Sequence, residues 1–557
     1  MKKSLKFIAL LCLPAFSLTA CSDFFDMFYF GGSIHQGGGY QSISTPPPGG
    51  DTPEYAPTDF TYKKYVSNNS YPISASPALG NAKLLVIPVW FTNSDSYVDL
   101  DKREQVREDI QATYFGTNEE TGWRSVKTYY EEESHGKLTI TGTVSNWYEC
   151  GQSSLTYAID DEVEKTSNLV KTAVNWYFSN NPEEDKKSYD CDGDGYLDGI
   201  MLIYAAADYQ VKNTPSNNNL WAYCFCIQNR DVKNINNPGA NAFFWASYDF
   251  MYSKSRALNR AGSNYGNGDT SYANIDAHTY IHEMGHMFGL VDYYDYTKQF
   301  DPAGGFSMQD QNIGGHDPFS SFALGWGKAY VPVDSTTINL KPFSTSGEMI
   351  ILKANPNSYN FSPFDEYIVV EYFTPTGLNE FDCSHKYMAS ANKNYSMGST
   401  TPGIRVWHVD ARLLYPETLF GGKYHFRADY QTTVPSFSSS YGVTLMMSNT
   451  YYTNGVQDSY ISPLGKTYSD YNLLQLIRRS TTYNHKVPCE SHNTFSASSL
   501  FVLGDTFSMK DYYRQFQKTK TVGDDVIGQF NTGDDLGFSF TVNGCMEDFA
   551  SITITKL

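Results

Sequence analysis

Charge is scarce in this sequence. Only 18% of its 557 residues are Asp, Glu, Lys or Arg, and cations are the rarer sign, 41 against 60 anions, for a formal net charge of −19. With no cluster of Lys and Arg there is nothing to neutralise a phosphate backbone, which excludes nucleic acid as a partner. Beyond the first twenty residues no apolar run is long enough for a bilayer, so the sequence predicts no membrane span. No motif recurs at a fixed period, which argues against a solenoid or propeller. Cysteine is sparse as well, at nine residues. Past Cys12 and Cys21 there remain Cys150, Cys191, Cys224, Cys226, Cys383, Cys489 and Cys545, an odd number, so at least one thiol stays unpaired within the chain. Cys224 and Cys226 are too close together for a structural zinc site; an exported protein can form disulfides among the seven, but the sequence does not give their connectivity. What is abundant is aromatic and small: 16% Phe, Trp and Tyr, with 44 tyrosines, and 43 glycines. That balance suits an extracellular, β-heavy protein of several domains, and its negative charge suits calcium.

The N-terminus reads as a processing signal. Lys2, Lys3 and Lys6 precede an apolar run from Phe7 to Leu18 that is too short to span a bilayer. It ends in Leu18-Thr19-Ala20-Cys21, which resembles the bacterial lipobox, and implies cleavage before Cys21 and lipidation of its thiol. Gly37-Gly38-Gly39 and Pro46-Pro47-Pro48-Gly49-Gly50 follow, without hydrophobic periodicity. The expected order is therefore a signal peptide (1–20), a lipidated Gly/Pro-rich tether (21–78), a catalytic domain (79–332) and a β-rich C-terminal region of one or two sandwich domains (333–557). The anchor implies an outer-membrane lipoprotein displayed at the cell surface, expected to be a monomer.

Hydrophobic periodicity supports that division and an α+β fold class. Leu84–Phe91 reads as a buried strand in which Pro88 marks an edge or a bulge. Residues 102–115 carry Val106, Ile110 and Tyr114 at helical spacing. A second helix is expected over Ser125–Ser134, stopped by Gly136, and a third over roughly 161–178. Leu138–Val144 and Ile200–Ala205 read as strands. From Ile338 onward the pattern changes to short alternating runs, such as Tyr367–Val370, Gly403–Trp407 and Ser551–Thr555, separated by turn residues.

One stretch carries chemistry. Residues 275–292 read Ile-Asp-Ala-His-Thr-Tyr-Ile-His-Glu-Met-Gly-His-Met-Phe-Gly-Leu-Val-Asp. On a helix His282 and His286 lie one turn apart, about 40° around the axis, so both imidazoles reach one ion. Glu283 can lean over a metal-bound water whose pKa zinc lowers, and accept its proton during attack on a carbonyl. Gly289 tolerates the positive φ that lets the chain leave the helix sharply, and Asp292 can return as a third, oxygen ligand. A bare H-E-x-x-H arises by chance in roughly one per cent of chains this size. The added Gly and Asp make it rarer by about two orders of magnitude, which favours a metal site over a helix with two solvated histidines. His278, one turn earlier on the same face, is not needed as a ligand and reads as a supporting or exposed residue.

The run His282-Glu-Met-Gly-His-Met-Phe-Gly-Leu-Val-Asp-Tyr-Tyr-Asp295 resembles the zinc motif of the immune inhibitor A family of secreted bacterial metallopeptidases. Gly304-Gly305-Phe306-Ser307-Met308, His316-Asp317-Pro318-Phe319 and Leu324-Gly325-Trp326 resemble that family's segment after the zinc helix. The likeness extends upstream through Ser125-Val-Lys-Thr-Tyr-Tyr, His135-Gly136-Lys137-Leu138 and Trp147-Tyr148. It implies a metzincin-like zinc peptidase domain with His282, His286 and Asp292 as zinc ligands, Glu283 as catalytic base and Met308 in a turn beneath the metal. Val291 stands where the family usually has Pro. Two residues after Met308 comes Asp310 instead of the Tyr that some metzincins use for the oxyanion, so the transition-state donor is unassigned. Glu366–Glu371 and Gly403–Asp410 resemble recurring strands of the family's C-terminal region, where His408 and Asp410 read as packing residues.

A second array points to calcium. Asp190, Asp192, Asp194, the Tyr196 carbonyl and Asp198 fall at alternate positions around Gly195, as in the first nine positions of an EF-hand loop, although Met201 occupies the twelfth. The expected activity is thus a zinc-dependent endopeptidase acting on extracellular proteins or peptides, with Zn2+ catalytic and Ca2+ structural. The alternative is a cell-surface glycan- or protein-binding lipoprotein whose peptidase domain is vestigial.

Overall fold

An unbroken apolar run needs cover on both sides, and the first strand obtains it by lying inside a sheet flanked by helices. The computed structural model describes residues 75–158, 163–207, 220–228, 231–252, 275–295, 301–359, 361–385, 398–420, 423–428, 444–445, 448–450, 472–483, 494–516 and 528–557. Cys21 and the residues up to 74, over which the sequence predicts a signal peptide and a tether, lie outside them. The first half runs β1 (Gly80–Trp90), α1 (Arg103–Phe115), α2 (Val126–Glu133), β2 (Leu138–Val144), β3 (Tyr148–Glu149), α3 (Glu164–Asn180), β4 (Gly199–Tyr204), β5 (Tyr223–Cys226), β6 (Ala242–Ser247) and α4 (His278–Met287). Their sheet has the order β2-β1-β4-β6-β5, with β3 also paired to β1. All pairings are parallel except that of β5.

Alternate side chains of the sheet feed two cores. Leu85, Ile87, Ile200, Leu202, Phe243 and Trp245 pack under α3 through Leu169, Val170, Ala173, Val174 and Tyr177. Leu84, Val86, Met201, Ile203 and Phe244 pack on the opposite side with α1, α2 and α4, among them Ile110, Tyr114, Tyr130, Tyr280, Ile281 and Met284. α2 begins where Ser125 and Thr128 form a reciprocal capping box, which satisfies two otherwise orphaned N–H groups. Pro88 is neither at an edge nor at a bulge. The pairing with β2 ends at Val86 and that with β3 starts at Val89, so Pro88, which has no N–H, falls in the gap between two partners while facing Ile203 of β4.

The chain continues through α5 (Met308–Gln311), α6 (Pro318–Ala323), β7 (Lys328–Tyr330), β8 (Thr336–Leu340), β9 (Glu348–Leu352), β10 (Glu366–Phe373), α7 (Leu378–Ser384), β11 (Gly403–Asp410), β12 (Leu413–Phe420), β13 (Lys423–Ala428), β14 (Thr444–Leu445), β15 (Leu474–Ile477), β16 (Thr506–Ser508), β17 (Phe538–Cys545) and β18 (Ala550–Lys556). A five-stranded sheet, β15-β11-β10-β9-β7, stands between the two halves. Met349, Ile351, Tyr367, Val369, Trp407 and Leu476 join the core under α4, whereas Ile350, Leu352, Ile368, Val370, Val406 and Ile477 face a four-stranded sheet, β16-β17-β18-β8. β12, β13 and β14 form a separate small sheet. The core around α4 therefore runs through the position, 332/333, at which the sequence divides two domains. The six described cysteines are all free, and Cys489 lies outside the described residues.

Candidate metal centre

α4 is buried along almost its whole length, and apart from Thr279 and Glu283 it consists of apolar, aromatic, glycine and histidine residues. Tyr280, Ile281, Met284 and Met287 face the core. Two tyrosines brace it, Tyr280 donating to Ser247 O at 2.7 Å and Tyr130 to Ile281 O at 2.6 Å. The helix ends as the spacing predicts: Gly289 adopts φ +102°, and Leu290 N–H closes on Gly285 O at 3.1 Å. That reversal brings Asp292 back across the end of the helix.

His282, His286 and Asp292 converge. Asp292 Oδ1 lies 3.1 Å from His282 Nε2 and 3.3 Å from His286 Nε2, with the two rings perpendicular and their centroids 4.8 Å apart. The far nitrogens fix the rings: Nδ1–H of His282 donates to Met308 O and that of His286 to Leu290 O, each at 2.8 Å. With Nδ1 as donor, a neutral imidazole carries its lone pair on Nε2, so each ring aims a lone pair at a carboxylate oxygen. Two lone pairs and an anion repel unless a cation lies between them. The separations match the roughly 3.3 Å between ligand atoms of a tetrahedral ion held at about 2.0–2.1 Å. Burial disfavours the charged imidazole of His286, but Asp292 outweighs it and lifts its pKa to about 9. Burial likewise disfavours the Asp292 anion, and the two histidines overcome this and hold its carboxyl far below the usual range.

Glu283 stands beside this group. Its Oε2 is buried without a hydrogen-bond partner among the described residues, and burial pushes its pKa up against the opposing pull of His286 and His282. An unpartnered buried carboxylate oxygen is costly for folding alone and suits a group that will bind a water.

Met308 opens α5, fully buried, and acts through its carbonyl on His282. Asp310, two residues on, turns away and accepts Gly305 N–H at 2.7 Å. His278 is not a ligand. It is fully buried, between Asp276 at 2.8 Å and Asp382 at 3.3 Å. His408 and Asp410 belong to a buried network on β11: His408 Nε2 is 2.9 Å from Glu366 Oε1, and Arg412 grips Asp410 at 2.6 Å twice. Asp382, Gln309 and Arg405 carry no signal in the sequence, because their importance depends on contacts distant along the chain. Tyr130 falls within a recognisable motif, yet only its contact with α4 gives it a role.

The acidic turn is only partly assembled as expected. Asp190, Asp192 and Asp194 each present an oxygen within 4.8 Å of the others. The turn is shaped by its own carboxylates: Asp190 accepts Asp194 N–H and Gly195 N–H, both at 2.9 Å, and Asp194 accepts Tyr196 N–H at 2.8 Å. Asp198 does not join them. Its buried carboxyl accepts Lys83 N–H and Cys191 N–H, each at 3.0 Å, because the start of β4 carries it inward against β1. Burial raises its pKa to about 7.

No curated protein matches the chain. Residues 92–312 match the family model described as immune inhibitor A peptidase M6, catalytic domain, a span that contains β2 to β6, the converging His282, His286 and Asp292, and Met308. Over those residues the chain is similar to the catalytic domain of the immune inhibitor A peptidase M6 family.

Proposed function

We propose that the protein is a zinc-dependent endopeptidase with a metzincin-like catalytic domain, acting outside the cell on proteins or peptides. The observation that carries this reading is the meeting of two Nε2 lone pairs and one carboxylate oxygen at tetrahedral spacing, with Glu283 unpartnered beside them. His282 and His286 would hold the ion through Nε2, and Asp292 through Oδ1. Zinc, when bound, supplies Lewis acidity toward the scissile carbonyl and lowers the pKa of water. The chain does the rest. Met308 O and Leu290 O keep both imidazoles in the tautomer that leaves Nε2 free. Asp292 brings one negative charge, so the site is less cationic than one made of three imidazoles. Glu283 takes a proton from the attacking water on Oε2 and returns it to the departing amine. Its burial supports both steps, because a carboxylate raised toward neutrality accepts a proton more readily than a solvated one.

The rest of the reading is coarser. The lipobox-like Cys21 would tether the enzyme to the outer membrane and the Gly/Pro-rich segment would carry it outward, as a monomer. The paired sheets of the second half would act as a β-sandwich against the catalytic domain. Asp190, Asp192 and Asp194 would hold a structural calcium ion, with Asp198 supporting the turn from within. Calcium should then raise the unfolding temperature without entering the rate. The central test is metal analysis with Glu283→Gln. Purified protein should carry one zinc per chain and cleave a mixed peptide library until a chelator is added, and Glu283→Gln should keep the zinc while losing cleavage. Undiminished cleavage by that variant removes Glu283 from the mechanism.

A further inference from the structure

His278 stands where a helix disfavours a cation. It is the first residue of α4, at the end where unsatisfied N–H groups carry partial positive charge. It is also fully buried, which disfavours charge again. Two carboxylates reverse that balance. Nδ1 lies 2.8 Å from Asp276 Oδ1, Nε2 lies 3.3 Å from Asp382 Oδ2, and the ring stacks on Trp123 with centroids 3.9 Å apart and planes 4° from parallel. An imidazole with a carboxylate at each nitrogen satisfies both only when both nitrogens carry protons. Although burial lowers its pKa, Asp382 and Asp276 together raise it to about 9.

Asp382 lies in the other half of the chain, on α7. The same Oδ2 accepts Gly314 N–H at 2.7 Å, and Asn379, one turn earlier on α7, accepts Gly315 N–H at 3.1 Å. Gly315 O in turn receives Met308 N–H at 3.1 Å, and Met308 O receives His282 Nδ1–H at 2.8 Å. From α7, then, two routes reach the same imidazole. One runs through His278 and a single turn of α4, and the other through Gly314-Gly315 and Met308.

We propose that His278 and Asp382 are positioning residues for the metal ligands, through which α7 of the C-terminal half sets the orientation of His282 from both sides. The metal site is then completed across the 332/333 position instead of within the first 332 residues. This rests on the metallopeptidase reading above, and it assigns to the second half a part in metal retention and turnover.

The test uses the full chain with His278→Gln, Asp382→Asn and the conservative Asp382→Glu. Zinc affinity is measured by chelator competition, and kcat and KM are measured separately on one cleaved peptide. Loss of an outer hydrogen-bond partner of a metal ligand typically costs about 10–100-fold in metal affinity or activity. His278→Gln and Asp382→Asn, which act further out than the direct partner Met308 O, should weaken zinc binding by up to about tenfold and lower kcat with KM unchanged. Asp382→Glu should recover part of both. Parental zinc affinity and kcat in a folded Asp382→Asn protein, with only a lower unfolding temperature, would reduce the pair to structural packing and overturn the proposal. Should neither variant fold, the conservative Asp382→Glu decides: zinc affinity and kcat below the parent's with KM unchanged support the proposal, and parental values of both overturn it. If the parent itself neither binds zinc nor cleaves peptide, it is the metallopeptidase reading that has failed.

Discussion

Gly285 offers a sharp test of how tightly α4 is packed against α5. It lies inside a helix with helical neighbours on both sides, where alanine ordinarily adds about 1 kcal/mol of stability over glycine. Here an added Cβ would overlap Gln309 Oε1 and stand 2.7 Å from its Cδ and 3.1 Å from its Nε2. Gln309 is fully buried, so its amide has no solvent to withdraw into, and its backbone carbonyl is held by Tyr293 N–H at 3.0 Å. Overpacking of this kind costs about 1–3 kcal/mol, which cancels or exceeds the helical gain. Gly285→Ala should therefore be neutral or destabilising by up to about 2 kcal/mol. The sign should reverse once Gln309 is shortened. In a Gln309→Ala background the clash is gone and Gly285→Ala should stabilise by about 1 kcal/mol, giving a coupling of about 1–3 kcal/mol between the two sites. Denaturant unfolding of the four proteins of this cycle, each stripped of metal, measures it. Gly285→Ala more stable than its parent by about 1 kcal/mol in both backgrounds would show that Gln309 does not close on the helix, and would refute the packing argument.

Other perturbations reach further. Asp292→Ala removes the one anion among the three proposed ligands, so zinc content after dialysis should fall and cleavage with it; full zinc occupancy would mean that the third ligand lies elsewhere. Arg405 pairs with Glu371, donates to Phe306 O at 3.0 Å and is buried with its partner. Arg405→Met leaves an uncompensated buried carboxylate and should cost about 3–5 kcal/mol in denaturant unfolding; a loss within the error of that measurement would mean that Glu371 is not charged there. Glu133 is buried and accepts Ser321 Oγ–H at 2.9 Å, and burial raises its pKa from 4.5 to about 8. The folded protein thus keeps a proton that the unfolded chain gives up, so this group's contribution is fully present below pH 4.5 and is lost as pH rises through 8. Glu133→Gln should flatten that part of the stability profile between about pH 5 and 8, and an unchanged slope on thermal unfolding would show that Glu133 ionises normally.

Elements that depend on neighbours along the chain are legible in the sequence. The helix with His282 and His286, the turn at Gly289 and the return of Asp292 are consequences of a 3.6-residue period, a positive φ and a short chain reversal. α1 and β2 follow from spacing in the same way. Pro88 departs from expectation because the rule that places proline at an edge assumes a continuous neighbour, whereas β1 meets β2 and then β3 with a gap between. Asp198 departs from it because alternation along the acidic turn cannot show where the turn gives way to a strand that draws a carboxylate inward.

The sequence by itself determined which residue types could hold a metal and that they would meet, since His282, His286 and Asp292 lie within eleven consecutive residues and local geometry alone closes the set. Only the tertiary structure decided what holds that set in place. Met308 O reaches His282 from 26 positions away and Asp382 reaches His278 from 104. A hydrogen bond of about 3 Å has no signature along the chain when so many residues separate its ends. The core around α4 decides it, by packing a sheet of the second half against the helix of the first.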